Sequence, residues 1–291
     1  MQGSEMAEGY MWYAGIPFPA QLYKPEDIRA AHEQFVVKDE DIIMVTYPKS
    51  GTHWLIEILC LILTKGDPKW VRSVNTYDRS PWIETESGNT TIVNRKEGPP
   101  LISSHLPIQL FPKSFFTSKA KLIYVIRNPK DVLISGYYFW RSTNLAKKPE
   151  SLEQYFEWFL RGHVPYWSWF DHVRGWLSWR EKENVLVLCY EEMRKDPRKS
   201  VEKICRFLGK ALEPGELNLV LENSSFQALK ENKMSNFSSV AKELVLNDFK
   251  ITRKGITGDW KNHFTPAQTQ AFEETFREKM AGLPPELFPW D

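Results

Sequence analysis

Two short segments of this sequence place cations, hydroxyls and a glycine where they could grip a small anion. In Ile42-Ile43-Met44-Val45-Thr46-Tyr47-Pro48-Lys49-Ser50-Gly51-Thr52-His53-Trp54, a strand is predicted over Ile42 to Thr46, then a tight loop, then a helix opening at Thr52. Amides at a helix start point outward without intrahelical partners and carry partial positive charge. Gly51 permits close approach, Lys49 adds a full charge, and Ser50 and Thr52 add hydroxyl donors. The order of residues separates this loop from the nucleoside triphosphatase motif GxxxxGK[ST], in which the lysine follows the second glycine and a hydroxyl residue holds magnesium. Here Lys49 precedes Gly51, so the segment is P-loop-like in its physics only. An ordinary strand-to-helix turn with a solvated lysine would show the same residue types.

The second segment, Ile126-Arg127-Asn128-Pro129-Lys130-Asp131-Val132-Leu133-Ile134-Ser135-Gly136, repeats the chemistry. Arg127 stands at the carboxyl end of a predicted strand, where open α/β sheets bind ligands, and Ser135 lies two helical turns on. The planar fork of an arginine suits a pair of phosphate oxygens. A third cluster, Arg253-Lys254-Gly255, ends a long irregular stretch. Each alone reads equally as solvated surface. Together they suggest a nucleotide with phosphates at two separated positions.

The elements that must carry these residues are short apolar runs at Ile42 to Thr46, Leu122 to Ile126 and Val185 to Tyr190, which read as buried parallel strands. Each leads toward a helical pattern, at Thr52 to Leu63, Lys130 to Tyr138 and Lys199 to Leu208. That alternation predicts an α/β fold with a central parallel sheet flanked by helices. A further helix is predicted over Ser151 to Arg161, where Ser151 and Gln154 resemble a capping box. Val71 to Pro100 and Asn223 to Gly258 lack periodicity and are expected to be irregular binding loops or lids.

All 291 residues are expected to form one domain, with residues 1–5 set aside because Met6 offers an equally good start. Hydrophobic residues make up 42% and aromatics 14%, twelve of them Trp, enough for a large core and an apolar pocket beside it. Lys plus Arg number 38 against 37 Asp plus Glu, a balance without the basic excess of a protein that grips long nucleic acid. Cys60, Cys189 and Cys205 form no CxxC pair and no cluster that would frame disulfides or zinc. No run approaches the ~18 apolar residues of a membrane span and no signal-peptide pattern opens the chain, so a cytoplasmic protein is expected.

The strings TYPKSGT at 46–52, RNPKDVLISGYYF at 127–139 and RKGITGDWKNHF at 253–264 resemble the cytosolic sulfotransferases. RSPWIE at 79–84, SSHLPIQLFPKSFF at 103–116, SWFDHVRGW at 168–176, SSFQALKENKMSN at 224–236 and the terminal LPPELFPWD are similar to the hydroxysteroid branch. The likeness spans nearly the whole chain. It implies 3′-phosphoadenosine 5′-phosphosulfate (PAPS) as co-substrate, no metal, and a steroid, bile acid or similar lipophilic alcohol as acceptor, with simple phenols the alternative. It further implies that Lys49, Ser50, Gly51 and Thr52 hold the 5′-phosphosulfate. Arg127, Ser135, Arg253, Lys254 and Gly255 would hold the 3′-phosphate, and Trp54, Tyr190, Ser224, Phe226 and Leu229 would surround adenine. His105 becomes the general base, and Lys49 stabilises the leaving oxygen.

Two positions depart from the branch. His53 stands where Asn is usual, directly beside the sulfuryl site, and so joins His105 and Lys49 among the candidate catalytic residues. The dimer motif KxxxTVxxxE becomes Lys261-Asn262-His263-Phe264-Thr265-Pro266-Ala267-Gln268-Thr269-Gln270, with Pro266 for Val and Gln270 for Glu. The homodimer that the resemblance allows therefore rests on an altered motif. A kinase or triphosphatase would need magnesium ligands and a Walker-type lysine. A non-catalytic nucleotide-binding module would need no base. Acceptor shape is expected to come from Val71 to Glu84, Asn144 to Lys148 and Met234 to Leu246.

Overall fold

The structure, a computed structural model, describes residues 9–94, 100–236, 244 and 253–290. An antiparallel hairpin of β1 (Tyr10–Tyr13) and β2 (Ile16–Pro19) precedes a parallel sheet of β3 (Ile42–Thr46), β4 (Leu101–Ser104), β5 (Lys121–Ile126) and β6 (Val185–Cys189). The strand order is β4-β3-β5-β6, and Ile42 registers with Leu101 on one side and Lys121 on the other. All five residues of β3 are buried, as a strand covered on both faces requires. Its side chains alternate between two cores. Ile43 and Val45 join Leu122, Tyr124 and Ile126 beneath the helices Pro129–Arg141, Leu152–Arg161 and Trp169–Leu177. Ile42 and Met44 join Ile123 and Val125 beneath the helices Thr52–Leu63, Pro197–Leu208 and Pro214–Asn223. The chain is thus of the α/β class, with helices on both faces of a parallel sheet.

The predicted strands and the Thr52 to Leu63 helix stand where the apolar runs placed them; the Lys130 and Lys199 helices start earlier, at Pro129 and Pro197. A proline at the first helical position has no N–H to lose there. Ser151 caps its helix by accepting from the Gln154 amide at 3.1 Å, but the Gln154 side chain accepts from Glu150 rather than from Ser151, so the capping box is only half formed.

The two stretches expected to be irregular carry short helices among their described residues. Val71 to Pro100 contains the end of a helix at Lys69–Ser73 and the helices Thr76–Arg79 and Glu86–Asn94, and Asn223 to Gly258 contains Phe226–Glu231. Residues 95–99, 237–243 and 245–252 of these stretches, like residues 1–5, lie outside the described residues. Helices this short give no readable 3.6-residue period and depend on tertiary contacts. One such contact is an ion pair with both side chains buried, in which Arg79 Nη2 donates to Glu57 Oε2 at 2.9 Å and to Ser235 Oγ at 2.7 Å. Asn232 Nδ2 donates to the other Glu57 oxygen at 2.9 Å. The knot ties Thr76–Arg79 and the end of Phe226–Glu231 to the Thr52–Leu63 helix. Among the described residues no helix is long and apolar enough to cross a membrane.

Candidate active site

All four parallel strands end at one cavity of about 660 Å³. Past β3 come Lys49, Gly51, Thr52, His53 and Trp54; past β4 comes His105; past β5 comes Arg127; past β6 comes Tyr190. The chain passes from β3 to β4 on one side and then crosses from β4 to β5 on the other side of β3, so the cavity sits at a reversal of strand order, where α/β sheets bind ligands.

The loop after β3 is wound tightly. Lys49 adopts φ 70°, a left-handed conformation that a non-glycine residue holds only when its surroundings impose it. Gly51 has φ 99°, and a Cβ there would lie 2.7 Å from the Tyr190 ring, so only glycine fits. Arg127 Nη1 donates to the Lys49 carbonyl at 2.8 Å, and its guanidinium lies 4.4 Å from the Tyr190 ring centre. Burial, with Arg127 and Arg253 nearby, pulls the Lys49 ammonium down to about 7. Ser50 Oγ and Arg127 Nε are buried without hydrogen-bond partners. Orphaned donors, a glycine cradle and converging cations are what an anion such as a phosphosulfate would satisfy.

The second cationic corner is equally fixed. Arg253 Nη2 and Lys254 Nζ contact the two oxygens of Asp259 at 2.6 and 2.7 Å. Burial alone would push that carboxyl up, yet hydrogen bonds from Lys254 and Arg253 hold it below the usual carboxylate range. Asp131 accepts from the Gly258 amide at 2.6 Å and the Trp260 amide at 3.0 Å, which fastens this turn to the helix carrying Ser135.

His105 Nδ1 lies 2.8 Å from the Thr46 carbonyl. A carbonyl only accepts, so Nδ1 carries the proton and Nε2 keeps its lone pair. Burial, against the bond to Thr46, pulls the imidazole down to about 4, which leaves it neutral at physiological pH. His53 is pulled to about 3, first by burial and then by Lys49 and His105. Its ring packs 6.0 Å from Tyr77 and 5.9 Å from Trp82, and the His105 ring lies 5.7 Å from Trp82 and 5.4 Å from Tyr166.

Of the residues expected at the site, Lys49, Gly51, Thr52, His53, Trp54, His105, Arg127, Ser135, Tyr190, Phe226, Leu229, Arg253, Lys254 and Gly255 line the cavity. Ser50 and Ser224 do not. Ser50 is wholly buried beneath the loop, and Ser224 offers its carbonyl to Trp54 Nε1 at 2.8 Å, so it fixes the indole from behind. The reading of residue types missed Leu22, Tyr23, Trp140 and Tyr166 in the wall and named Tyr77, Trp82 and Leu145 only as parts of loops. Aromatic residues carry no signal that separates a cavity wall from a core. The expected loops Val71 to Glu84 and Asn144 to Lys148 do contribute wall residues; of Met234 to Leu246, residues 237–243 and 245–246 lie outside the described residues.

The family described as "Sulfotransferase domain" matches residues 39–284. Sulfotransferase 2A2 of Mus musculus is 62% identical over 98% of this chain and 100% of its own length. The 3-beta-hydroxysteroid sulfotransferase of Cavia porcellus is 59% identical over 98% of this chain and 99% of its own. Among solved structures, mouse sulfotransferase SULT7A1 complexed with PAP superposes with a TM-score of 0.78 at 33% identity, covering 94% of each chain.

Proposed function

The chain belongs to the sulfotransferase family, and on that premise we propose that it sulfates the hydroxyl of a steroid or similar lipophilic alcohol, with PAPS as donor. The observation that carries this reading is the setting of His105: the Thr46 carbonyl holds its Nδ1 proton, so Nε2 keeps the lone pair of a base, on a residue that lines one cavity with the Lys49 loop. An alcohol is a poor nucleophile until a base accepts its proton. His105 Nε2 takes that proton as the acceptor oxygen bonds to sulfur and the bond from sulfur to the bridging phosphate oxygen breaks. Lys49 offsets the charge that grows on the departing oxygen. Arg127, Ser135, Arg253, Lys254 and Gly255 hold the 3′-phosphate; Gly51 and Thr52 hold the phosphosulfate, with the buried Ser50 supporting the loop; Trp54, Tyr190, Phe226 and Leu229 flank adenine. His53, between Tyr77 and Trp82, acts as a positioning donor in the acceptor wall.

The broad aromatic wall of Tyr77, Trp82, Tyr166 and Trp140 suits a rigid polycyclic acceptor better than a simple phenol, and the steroid-named relative supports the same class. The altered Lys261 to Gln270 segment supports a monomer or weak dimer. Three buried free thiols support a reducing, cytosolic setting, which recovery from a secretory fraction would contradict. The test uses sulfur-labelled PAPS with a 3β-hydroxysteroid, a bile acid and a simple phenol, a chelator being present. We expect label on the steroid, with kcat lowered by ~10²–10⁴-fold in His105→Ala and by less than about tenfold in His53→Asn. An active His105→Ala beside a dead His53→Asn would reverse the two roles. A phenol sulfated faster than the steroid would overturn the acceptor class.

A further inference from the structure

His105 leaves β4 at a point where a main chain ordinarily turns to water, yet both of its peptide groups are bonded to buried side chains. The segment Pro81–Ile83 runs beside β4, with Ser103 N donating to Pro81 O at 2.9 Å and Ile83 N donating to Ser103 O at 3.1 Å. This pairing delivers Glu84 beside His105, whose N–H donates to Glu84 Oε1 at 2.6 Å. Glu84 is 0% exposed, and its second oxygen is buried without a partner. Burial pushes the carboxyl up to about 7.

The second of these peptide groups, through the His105 carbonyl, is held by His172, from the Trp169–Leu177 helix. Its Nε2 lies 3.1 Å from the His105 carbonyl, and its Nδ1 lies 2.9 Å from the hydroxyl of Tyr124 on β5. Since the carbonyl only accepts, Nε2 carries the proton and Nδ1 accepts from Tyr124. His172 is 1% exposed, with its ring stacked on Tyr124 at an interplanar angle of 24°. With the Nδ1 bond to Thr46, three polar groups of His105 are thus pinned to three separate elements, and Nε2 alone is left for chemistry. A fully buried carboxyl, steadied besides by its own backbone and the Ser104 hydroxyl, is an expensive way to hold the His105 amide.

We infer that Glu84 and His172 are positioning residues that clamp the main chain of His105 from both sides and aim its Nε2 at the acceptor hydroxyl. This rests on the reading of His105 as the base. Near-attack geometry tolerates little error, a displacement of about 1 Å being worth ~10²-fold in rate.

The experiment compares Glu84→Met, Glu84→Gln, His172→Phe, His172→Gln and His105→Ala in the full chain. Steroid turnover at saturating PAPS is divided by the number of sites that bind PAP in a titration. Methionine and phenylalanine keep the buried volume while removing the bond. We expect both to lower kcat per site by about 10- to 100-fold, with PAP affinity within about twofold of the parent. Glutamine at 84 keeps an accepting oxygen and at 172 a donating nitrogen, so each should recover most of the loss. A merely structural role would lower the number of sites and leave turnover per site unchanged. Unchanged per-site turnover in Glu84→Met and His172→Phe, with His105→Ala dead, overturns the clamp while sparing the base. A loss in Glu84→Gln equal to that in Glu84→Met also overturns it. An active His105→Ala overturns the base reading itself. Should Glu84→Met yield no folded protein, the His172 pair decides alone.

Discussion

Lys49 carries two roles that pull on its charge in opposite directions. Its left-handed backbone and the Arg127 bond to its carbonyl aim the amine into the cavity, where burial and two guanidinium groups pull it down to about 7. An arriving polyanion reverses that balance and restores the proton. The sign follows: with the free-site value near 7 and the bound-state value higher, binding is strongest below pH 7 and weakens as pH rises above it. At pH 8 the empty site is roughly nine-tenths neutral, so PAP binding should take up nearly one proton, and affinity should fall by about tenfold per pH unit above 7. Calorimetry at pH 8 in buffers of different ionisation enthalpy measures the uptake, which Lys49→Met should abolish. Zero uptake by the parent chain would mean that Lys49 is already charged in the empty site. The charge-bearing residues, Lys49, Arg127 and Arg253, were legible from type and position alone. His105 became legible only through the likeness to a family. Glu84 and His172 were not legible, because their bonds to His105 join residues 21 and 67 positions apart and leave no local pattern.

At the scale of elements, legibility followed the length of the apolar run. β3, β5 and β6 each spell five or six mostly apolar residues and so announced themselves, although β6 is only partly buried. β4, Leu101–Ser104, ends in two buried serines and was seen only as an apolar pair. The short helices around Tyr77 and Phe226 are imposed by partners such as the Arg79 and Glu57 ion pair, which sequence periodicity does not register. The clearest coupling between elements is Asp131, 2% exposed, which holds the Gly258 and Trp260 amides and so sets the turn in which Asp259 gathers Arg253 and Lys254. Removing this carboxylate leaves one buried and one part-buried amide unanswered. We expect Asp131→Ala to cost roughly 3–5 kcal/mol of unfolding free energy, since each bond to a charged acceptor is worth about 1.5–3 kcal/mol. PAP affinity should weaken by at least about tenfold, a loss of about 1.4 kcal/mol, while the proton uptake assigned to Lys49 persists. Urea unfolding and a PAP titration check both; unchanged PAP affinity would show that the turn holds its cations without Asp131.

For the molecule as a whole, the charge balance and the cavity make the same point: a net formal charge of +1 leaves the anion to be held by local cations, here Lys49 and Arg127 past β3 and β5 and the Arg253-Lys254 turn beside them. For the outer surface, the proposal of a monomer or weak dimer rests on the segment Lys261 to Gln270. Pro266 begins the helix Pro266–Lys279 at a position where its missing N–H is no loss. Thr265 and Gln268 complete a reciprocal capping box around it, with bonds of 3.1 and 3.0 Å. Gln270 Nε2 donates to Glu274 within the same helix at 2.9 Å. Both changes therefore suit the chain's own helix, and we propose that what they alter is the face offered to a second copy, where one amide donor and one negative charge are gone. In a two-fold dimer each change acts twice, because the same patch meets itself. We expect the natural chain to sediment as a monomer at micromolar concentration, with a dimer appearing only as concentration rises. The double variant Pro266→Val and Gln270→Glu should shift the equilibrium toward dimer, while its thermal unfolding as a dilute monomer stays close to that of the parent. A tight dimer of the natural chain at sub-micromolar concentration, or a double variant that sediments identically, would show that this segment does not govern assembly.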